Sequence, residues 1–437
     1  MMKKLLLALL VFTTLRVSAQ SLYFPPLTGN VWDTISPATL GWCPDKVDSL
    51  IQFVGSRNSK AFIVLKDGKI VIEEYYGTFT ADSLWYWASA GKTLTAFTVG
   101  IAQREGYLQL SDTTSDYLGT GWTACTPAQE EKITIWHQLT MTSGLDDGVP
   151  DNHCTLDTCL QYLADAGTRW AYHNGSYTLL DGVIENATGF TLNQYITQKV
   201  KAPTGMTGLF IPSGYNNLYI SNARSMARFG LLLLNRGVWN TTPVLNDTAY
   251  FNQMVNTSQP LNQSYGYLTW LNGKSSFMAP GLQFQFPGSF NPNAPADMFC
   301  ALGKNGQFID VVPSQNIVLI RMGNTPWASN DVPFSLHDTI WIKLNEAMCA
   351  PQAVNTAAPG PEFGFYPNPA GNTLNYQWPG PVGSLRLVDL SGREVKRCDL
   401  LSGAGSMQVQ DVPEGVYLLQ AITPAGATTP RRVVISR

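Results

Sequence analysis

Charge is scarce in this chain. Only 14% of its 437 residues are Asp, Glu, Lys or Arg, against about 25% in an ordinary cytosolic domain. The 28 basic residues do not outnumber the 31 acidic ones, and the formal net charge is −3. A nucleic-acid binder would carry a basic excess, so no nucleic-acid partner is expected. The seven cysteines include no Cys-x-x-Cys pair, which argues against a zinc ribbon or a thioredoxin-like centre. No serine stands in a Gly-x-Ser-x-Gly context and there are only four histidines, so a Ser-His-Asp site on an α/β-hydrolase has little support. No stretch approaches the roughly 18 apolar residues that a membrane-spanning helix needs, so no transmembrane anchor is expected. Aromatic residues, by contrast, are plentiful: 12 Trp, 18 Tyr and 19 Phe. They supply enough apolar surface to exclude a disordered chain.

The first residues point to export. Lys3 and Lys4 precede an apolar run from Leu5 to Phe12, and Val17-Ser18-Ala19 offers small residues at a cleavage position. Residues 1–19 therefore read as a signal peptide. Low charge and a polar character drawn from Ser, Thr, Asn, Gln and Gly suit the same destination, a secreted or cell-surface protein. Cysteine use fits an oxidising compartment: Cys43, Cys125, Cys154, Cys159, Cys300 and Cys349 leave an even number before residue 350, and Cys398 follows alone. Six cysteines allow 15 pairings. Cys154 with Cys159 is the easiest local pair, and Cys43 with Cys349 would tie together the two ends of a main domain.

Composition breaks after Cys349. Residues 350–362 carry little but Ala, Pro, Gly and polar residues and read as a linker. It separates a main domain over 20–349 from a C-terminal module over 363–437. In the main domain, Ala61 to Leu65 and Ile70 to Tyr75 flank Lys66-Asp67-Gly68-Lys69, a hairpin signal, and Gln307 to Val312 with Ile317 to Met322 form a second. Leu94, Phe97 and Ile101 recur at helical spacing, and Ala223 to Leu234 is also helical. Strands at both ends with helices between predict an α/β sheet layer with a helical insertion. In the tail, short apolar strands between Gly and Pro turns predict a small β-sandwich.

The chain contains one Ser-x-x-Lys after its leader, Ser89-Ala90-Gly91-Lys92. A spacing of three stacks both side chains on one helix face. Ser89 at the helix start would leave its backbone N–H for a developing oxyanion. A lysine serves as base only if desolvation or a neighbouring cation lowers its pKa, and Trp85-Tyr86-Trp87 could supply a dry wall. The plain alternative is a serine cap with a solvated lysine one turn on. Tyr172-His173-Asn174 and Lys304-Asn305-Gly306 follow in order. Taken singly, Tyr172 would be a buried aromatic and Lys304 a solvated turn charge; His173 reads as either a pocket-lining donor or a surface ring, the second preferred. Asp146-Asp147-Gly148 reads as a turn rather than a calcium loop, so no metal and no cofactor are expected.

These three motifs, with Ile133 to Asp147, Pro203-Thr-Gly-Met206 and Tyr265 to Trp270, resemble the serine β-lactamases and penicillin-binding proteins, in particular the branch of class C β-lactamases, esterases and 6-aminohexanoate-dimer hydrolases. Departures are His173 where a small residue is common, and Asn305 in place of the Thr of a Lys-Thr-Gly. The Gly-x-x-Gly-Gln form of 303–307 favours amide and ester hydrolases over true β-lactamases. The resemblance implies a three-layer α/β/α domain with a helical subdomain. It also implies Ser89 as nucleophile, Lys92 with Tyr172 as general base and acid, Asn174 orienting Lys92 and the substrate amide, Lys304 acting on Tyr172 or on a substrate carboxylate, and Gly306 keeping the strand edge open. Backbone N–H groups of Ser89 and Gln307 would form the oxyanion hole. Alternatives are a D,D-peptidase or β-lactamase, and a catalytically silent cell-wall binding protein. Phe365-Tyr-Pro-Asn-Pro-Ala370, Leu387 to Arg393 and Glu414 to Leu418 resemble the C-terminal sorting domain of type IX secretion, whose machinery is then an expected partner.

Overall fold

The computed structural model describes residues 22–325, 332–349, 364–378, 380–389, 393–423, 426–427 and 431–437. The expected signal peptide and linker lie outside them. Six helices organise the main domain: α1 (Pro44–Gly55), α2 (Gly91–Arg104), α3 (Asn174–Thr178), α4 (Leu180–Thr188), α5 (Ala223–Leu234) and α6 (Phe334–Ala347). Six strands form its sheet: β1 (Ser59–Lys66), β2 (Lys69–Tyr75), β3 (Trp270–Leu271), β4 (Phe299–Gly303), β5 (Gln307–Val312) and β6 (Ile317–Gly323). Their order is β2-β1-β6-β5-β4-β3, antiparallel throughout.

The two hairpins form where the turn residues place them, and sheet burial explains the long apolar runs. Every residue of β5 and β6 is buried, because helices cover both faces. On one face α5 packs against β1, β5 and β6, with the side chains of Ile309, Val318 and Ile320 against Gly230. On the other face α6 lies beside α1, and His337 and Trp341 of α6 bond to Asp310 of β5. Neighbouring residues on β5 thus serve opposite layers, as the pleat requires. The result is the expected three-layer α/β/α arrangement. Helix α2 is buried from Gly91 to Ala102, because it runs between the sheet and the short helices of 115–205.

Both suggested disulfides form. Cys154 and Cys159 pair with Cα atoms 5.9 Å apart, and Cys43 pairs with Cys349 at 5.7 Å. Cys43 N–H also donates to Ala347 O at 2.9 Å, so the start of α1 and the end of α6 meet. The even count did not mean complete pairing: Cys125 and the buried Cys300 remain free thiols. Cys300 stands opposite Asp310 across the β4–β5 ladder, under α6, where its thiol packs as a small apolar group.

In the C-terminal module, Gly364–Tyr366, Thr373–Trp378 and Gly403–Gln408 make one sheet. Glu394–Leu400, Gly383–Val388, Gly415–Thr423, Gly426–Ala427 and Arg431–Ile435 make another. Alternate residues Leu374, Tyr376 and Trp378 meet Leu385, Leu387, Leu419 and Val433 in a separate core, as a small sandwich requires.

Candidate active site

Ser89 lies in a single 3₁₀ turn, Ala88–Ala90, that leads directly into α2. Ala88 has φ 48°, a left-handed conformation that costs a non-glycine residue energy and tends to occur where function requires it. The turn packs against β4 and β5. Ser89 is half-buried.

One helical turn on, Lys92 is only 3% exposed. Its Nζ donates to Ser89 Oγ at 3.2 Å and to Asn174 Oδ1 at 2.9 Å. The ammonium also stands 3.8 Å from the ring centre of Tyr177 and 5.2 Å from that of Tyr172. Burial lowers its pKa from the usual 10.5 to about 7, while the charge of Asp181 pulls the other way. Such a group exchanges protons at neutral pH. The rings that dry Lys92 are Tyr172 and Tyr177, not the Trp85-Tyr86-Trp87 lead-in. Trp87 instead packs on Tyr219 and Phe229 and donates to Ser221 Oγ.

Tyr172 is buried and stacked on Trp270 of β3, with ring centres 6.2 Å apart. Burial raises its pKa well above 10, while hydrogen bonds with Ser89 and Tyr265 lower it. The hydroxyl is therefore protonated at neutral pH. Lys304 is not among the groups acting on it; its side chain is exposed at the β4–β5 turn, a position suited to the other expected role, holding a substrate carboxylate.

The same turn explains Gly306. Its φ is +79°, and a Cβ there would lie 2.4 Å from Arg321 Nη1. Asn305, with φ 67°, donates from Nδ2 to Tyr86 OH at 2.7 Å. The Gln307 side chain is tied into β6, donating to Gly323 O at 2.7 Å and accepting from Gly323 N at 3.0 Å. Only its main chain is then left for an oxyanion.

Sequence reasoning overlooked several residues here. Tyr177 and Asp181 follow Asn174 at spacings of three and seven, one face of the α3–α4 segment, and this face looks at Lys92. Burial raises Asp181 to about 7, against a hydrogen bond from Asn217 Nδ2 at 3.0 Å. Arg321 was visible as the one charge in the apolar strand β6. It is buried, and its donors reach Ser59 Oγ and the carbonyls of Asn305, Gly306, Arg57 and Asn324. Arg321→Met should leave these carbonyls unpaired and cost about 3 kcal/mol or more. A denaturant midpoint that hardly moved would show that Arg321 does not hold the 304–306 turn.

His173 is corrected. It is 1% exposed rather than a surface ring, because it caps α3: Nδ1 accepts from Ser176 N at 3.2 Å. Burial lowers its pKa to about 4, so the ring is neutral and does not charge in the neutral range. The Asp146 to Gly148 turn forms as expected, with Asp146 Oδ1 accepting from Gly148 N, and Asp147 pairs with Arg169 at 2.6 Å. Among the described residues no group of three or more His, Cys, Asp or Glu is placed to hold a metal ion.

A three-layer antiparallel sheet domain with a serine set beside a desolvated lysine at its helix junction is the architecture of the serine hydrolases of the β-lactamase fold. The beta-lactamase family profile matches residues 47–332, and the chain belongs to that family. A second profile, the secretion system C-terminal sorting domain, matches residues 364–436, which marks the protein for type IX secretion and thus for export to the cell surface or beyond. Among the described residues no helix is long and apolar enough to cross a membrane.

An uncharacterized protein of Alkalihalophilus pseudofirmus is 23% identical over 312 residues, covering 63% of this chain and 86% of its own length. A structure from Bacteroides dorei provisionally described as a beta-lactamase superposes with TM-score 0.57 at 17% identity, covering 71% of this chain and all of the other. One from Bacillus anthracis provisionally described as a 6-aminohexanoate-dimer hydrolase does so with TM-score 0.56 at 18% identity, covering 74% of this chain and 89% of the other.

Proposed function

We propose that the protein is an exported serine hydrolase that cleaves a small amide or ester through an acyl-enzyme on Ser89. The observation that carries this is the 3.2 Å contact between Ser89 Oγ and Lys92 Nζ, with the lysine buried and its pKa near 7. Neutral Lys92 accepts the Ser89 proton as Oγ attacks the carbonyl carbon. Backbone N–H groups of Ser89 and Gln307 would hold the oxyanion, each donor worth about 3 kcal/mol. The protonated Tyr172 hydroxyl, whose pKa Ser89 pulls downward, passes a proton to the leaving group and regains one from Lys92. Water then repeats the sequence to release the acid. Asn174 steadies Lys92, and exposed Lys304 meets a substrate carboxylate.

In the same reading, residues 1–19 direct export, 20–349 form the hydrolase, 350–362 the linker and 363–437 the sorting module. The exposed Lys304 also gives some support to a second reading, a D,D-peptidase or β-lactamase acting on substrates with a carboxylate. The test is to incubate the protein with a chromogenic ester, a D-aminopeptide and a labelled penicillin and to map any adduct by peptide mass. Turnover of ester or aminopeptide with an adduct on the Ser89 peptide supports the proposal. Penicillin labelling with negligible turnover supports the peptidase. No adduct and no turnover on any of the three would leave the silent binding protein.

A further inference from the structure

Asn174 has two near-equivalent ends, an amide oxygen and an amide nitrogen, and only the oxygen can accept from Lys92. Something must decide which end faces the lysine. Asn152 does so: its Oδ1 accepts from Asn174 Nδ2 at 3.0 Å, which leaves Asn174 Oδ1 turned to Lys92 Nζ at 2.9 Å. The reversed amide would set its NH₂ against the ammonium and lose both bonds.

Asn152 is itself held. Its carbonyl accepts from Gly175 N at 2.7 Å, and the chain passes so near that a Cβ on Gly175 would lie 2.2 Å from Cys154 O. The loop thus grips residues 174 and 175 through both its main chain and a side chain. The loop's own shape is set by Asp151, whose Oδ1 and carbonyl accept from His153 N and Cys154 N, and by the Cys154–Cys159 disulfide.

We propose that Asn152, on the segment leading into the Cys154–Cys159 disulfide, is a positioning residue for the base Lys92, acting through the amide of Asn174. The inference rests on the proposed role of Lys92. The groups that face Lys92 and titrate or carry charge, Tyr172, Tyr177 and Asp181, are left unchanged by the variants that test it.

The test compares the full chain with Asn152→Ala, Asn152→Asp and the double variant Cys154→Ser/Cys159→Ser. It measures kcat and KM on a chromogenic ester, the midpoint of the acidic limb of kcat, and the Lys92 titration by NMR of ¹³Cε-labelled lysine, with Lys92→Arg to identify the signal. Loss of orientation should lower kcat of Asn152→Ala by about tenfold, with KM within about twofold. An amide oxygen on an ammonium favours the charged form, so its loss moves the limb and the NMR midpoint to lower pH. Asn152→Asp keeps the acceptor and adds a negative charge: kcat stays within about threefold and the midpoint moves to higher pH. The cysteine double variant should follow Asn152→Ala in direction.

An unmoved Lys92 midpoint in Asn152→Ala would overturn the proposal, whether kcat is unchanged or falls only in step with thermal stability. The NMR titration reads the amide's effect on Lys92 whether or not any ester turns over. Absent turnover in the unaltered protein would count against the hydrolase, not against Asn152.

Discussion

Ser89→Ala is expected to lower kcat on a chromogenic ester by on the order of 10⁴-fold or more, as removal of a nucleophile does in other serine hydrolases. The size follows from the site. Ser89 Oγ is the hydroxyl that Lys92 reaches, and it follows Ala88, whose backbone is held in a left-handed conformation. Tyr172 cannot replace it, since that hydroxyl is buried and held protonated. Thermal stability should change little, because Ser89 is half-buried and truncation removes only its small hydroxyl. Whatever activity survives would report the oxyanion hole and binding alone. A variant within tenfold of the parent, with the same burst of leaving group, would move the chemistry away from Ser89.

The second large effect belongs to Lys92. Lys92→Met should lower kcat by roughly 10³- to 10⁴-fold, the upper part of the range for a positioned general base, and should raise the melting temperature. Activity and stability move apart because the ammonium is buried: Met fills a similar volume without a charge to desolvate. The sign of the pH effect follows from the lowered pKa. Only neutral lysine can take the Ser89 proton, so turnover in the parent should fall as pH drops through about 7 and level off above it. In the unfolded chain the lysine keeps its proton up to about 10.5, so the folded state gains stability as pH rises from about 7 toward that value. Asp181, raised into the same range, makes this limb a property of the pair. A pH–rate profile flat from 6 to 9 would remove Lys92 from the role of base.

Local spacing made much of the centre readable before any coordinates. A spacing of three from Ser89 to Lys92 put both groups on one helical face, and the turns at 66–69 and 313–316 set their hairpins. What escaped reading was the part that depends on distant segments meeting. Asn152 reaches Asn174 only because the segment 152–154 lies against the start of α3. Arg321 matters because its strand passes beneath the 304–306 turn. His173 was misread because a lone polar ring looks like surface until its capping bond to Ser176 is seen. The parity of the cysteines likewise said nothing about where each Cβ points, and Cys125 and Cys300 were left apart. Spacing within a helix is written in the chain; which segments lie against it is decided by packing.

The Cys43–Cys349 bridge bears on how the protein withstands pulling. The sorting profile begins at residue 364, so tension applied through that module enters the hydrolase at Cys349, just past the last turn of α6. Without the bridge, the force would peel α6 from its C-terminal end, one hydrogen bond after another. With it, the load crosses a covalent link to Cys43 at the head of α1, a helix that lies alongside α6. The two helices then share the strain side by side, and rupture requires many contacts to fail at once. The same link makes residues 43–349 a closed ring, so a cut anywhere between residue 350 and the sorting module frees the tail without loosening an end of the enzyme.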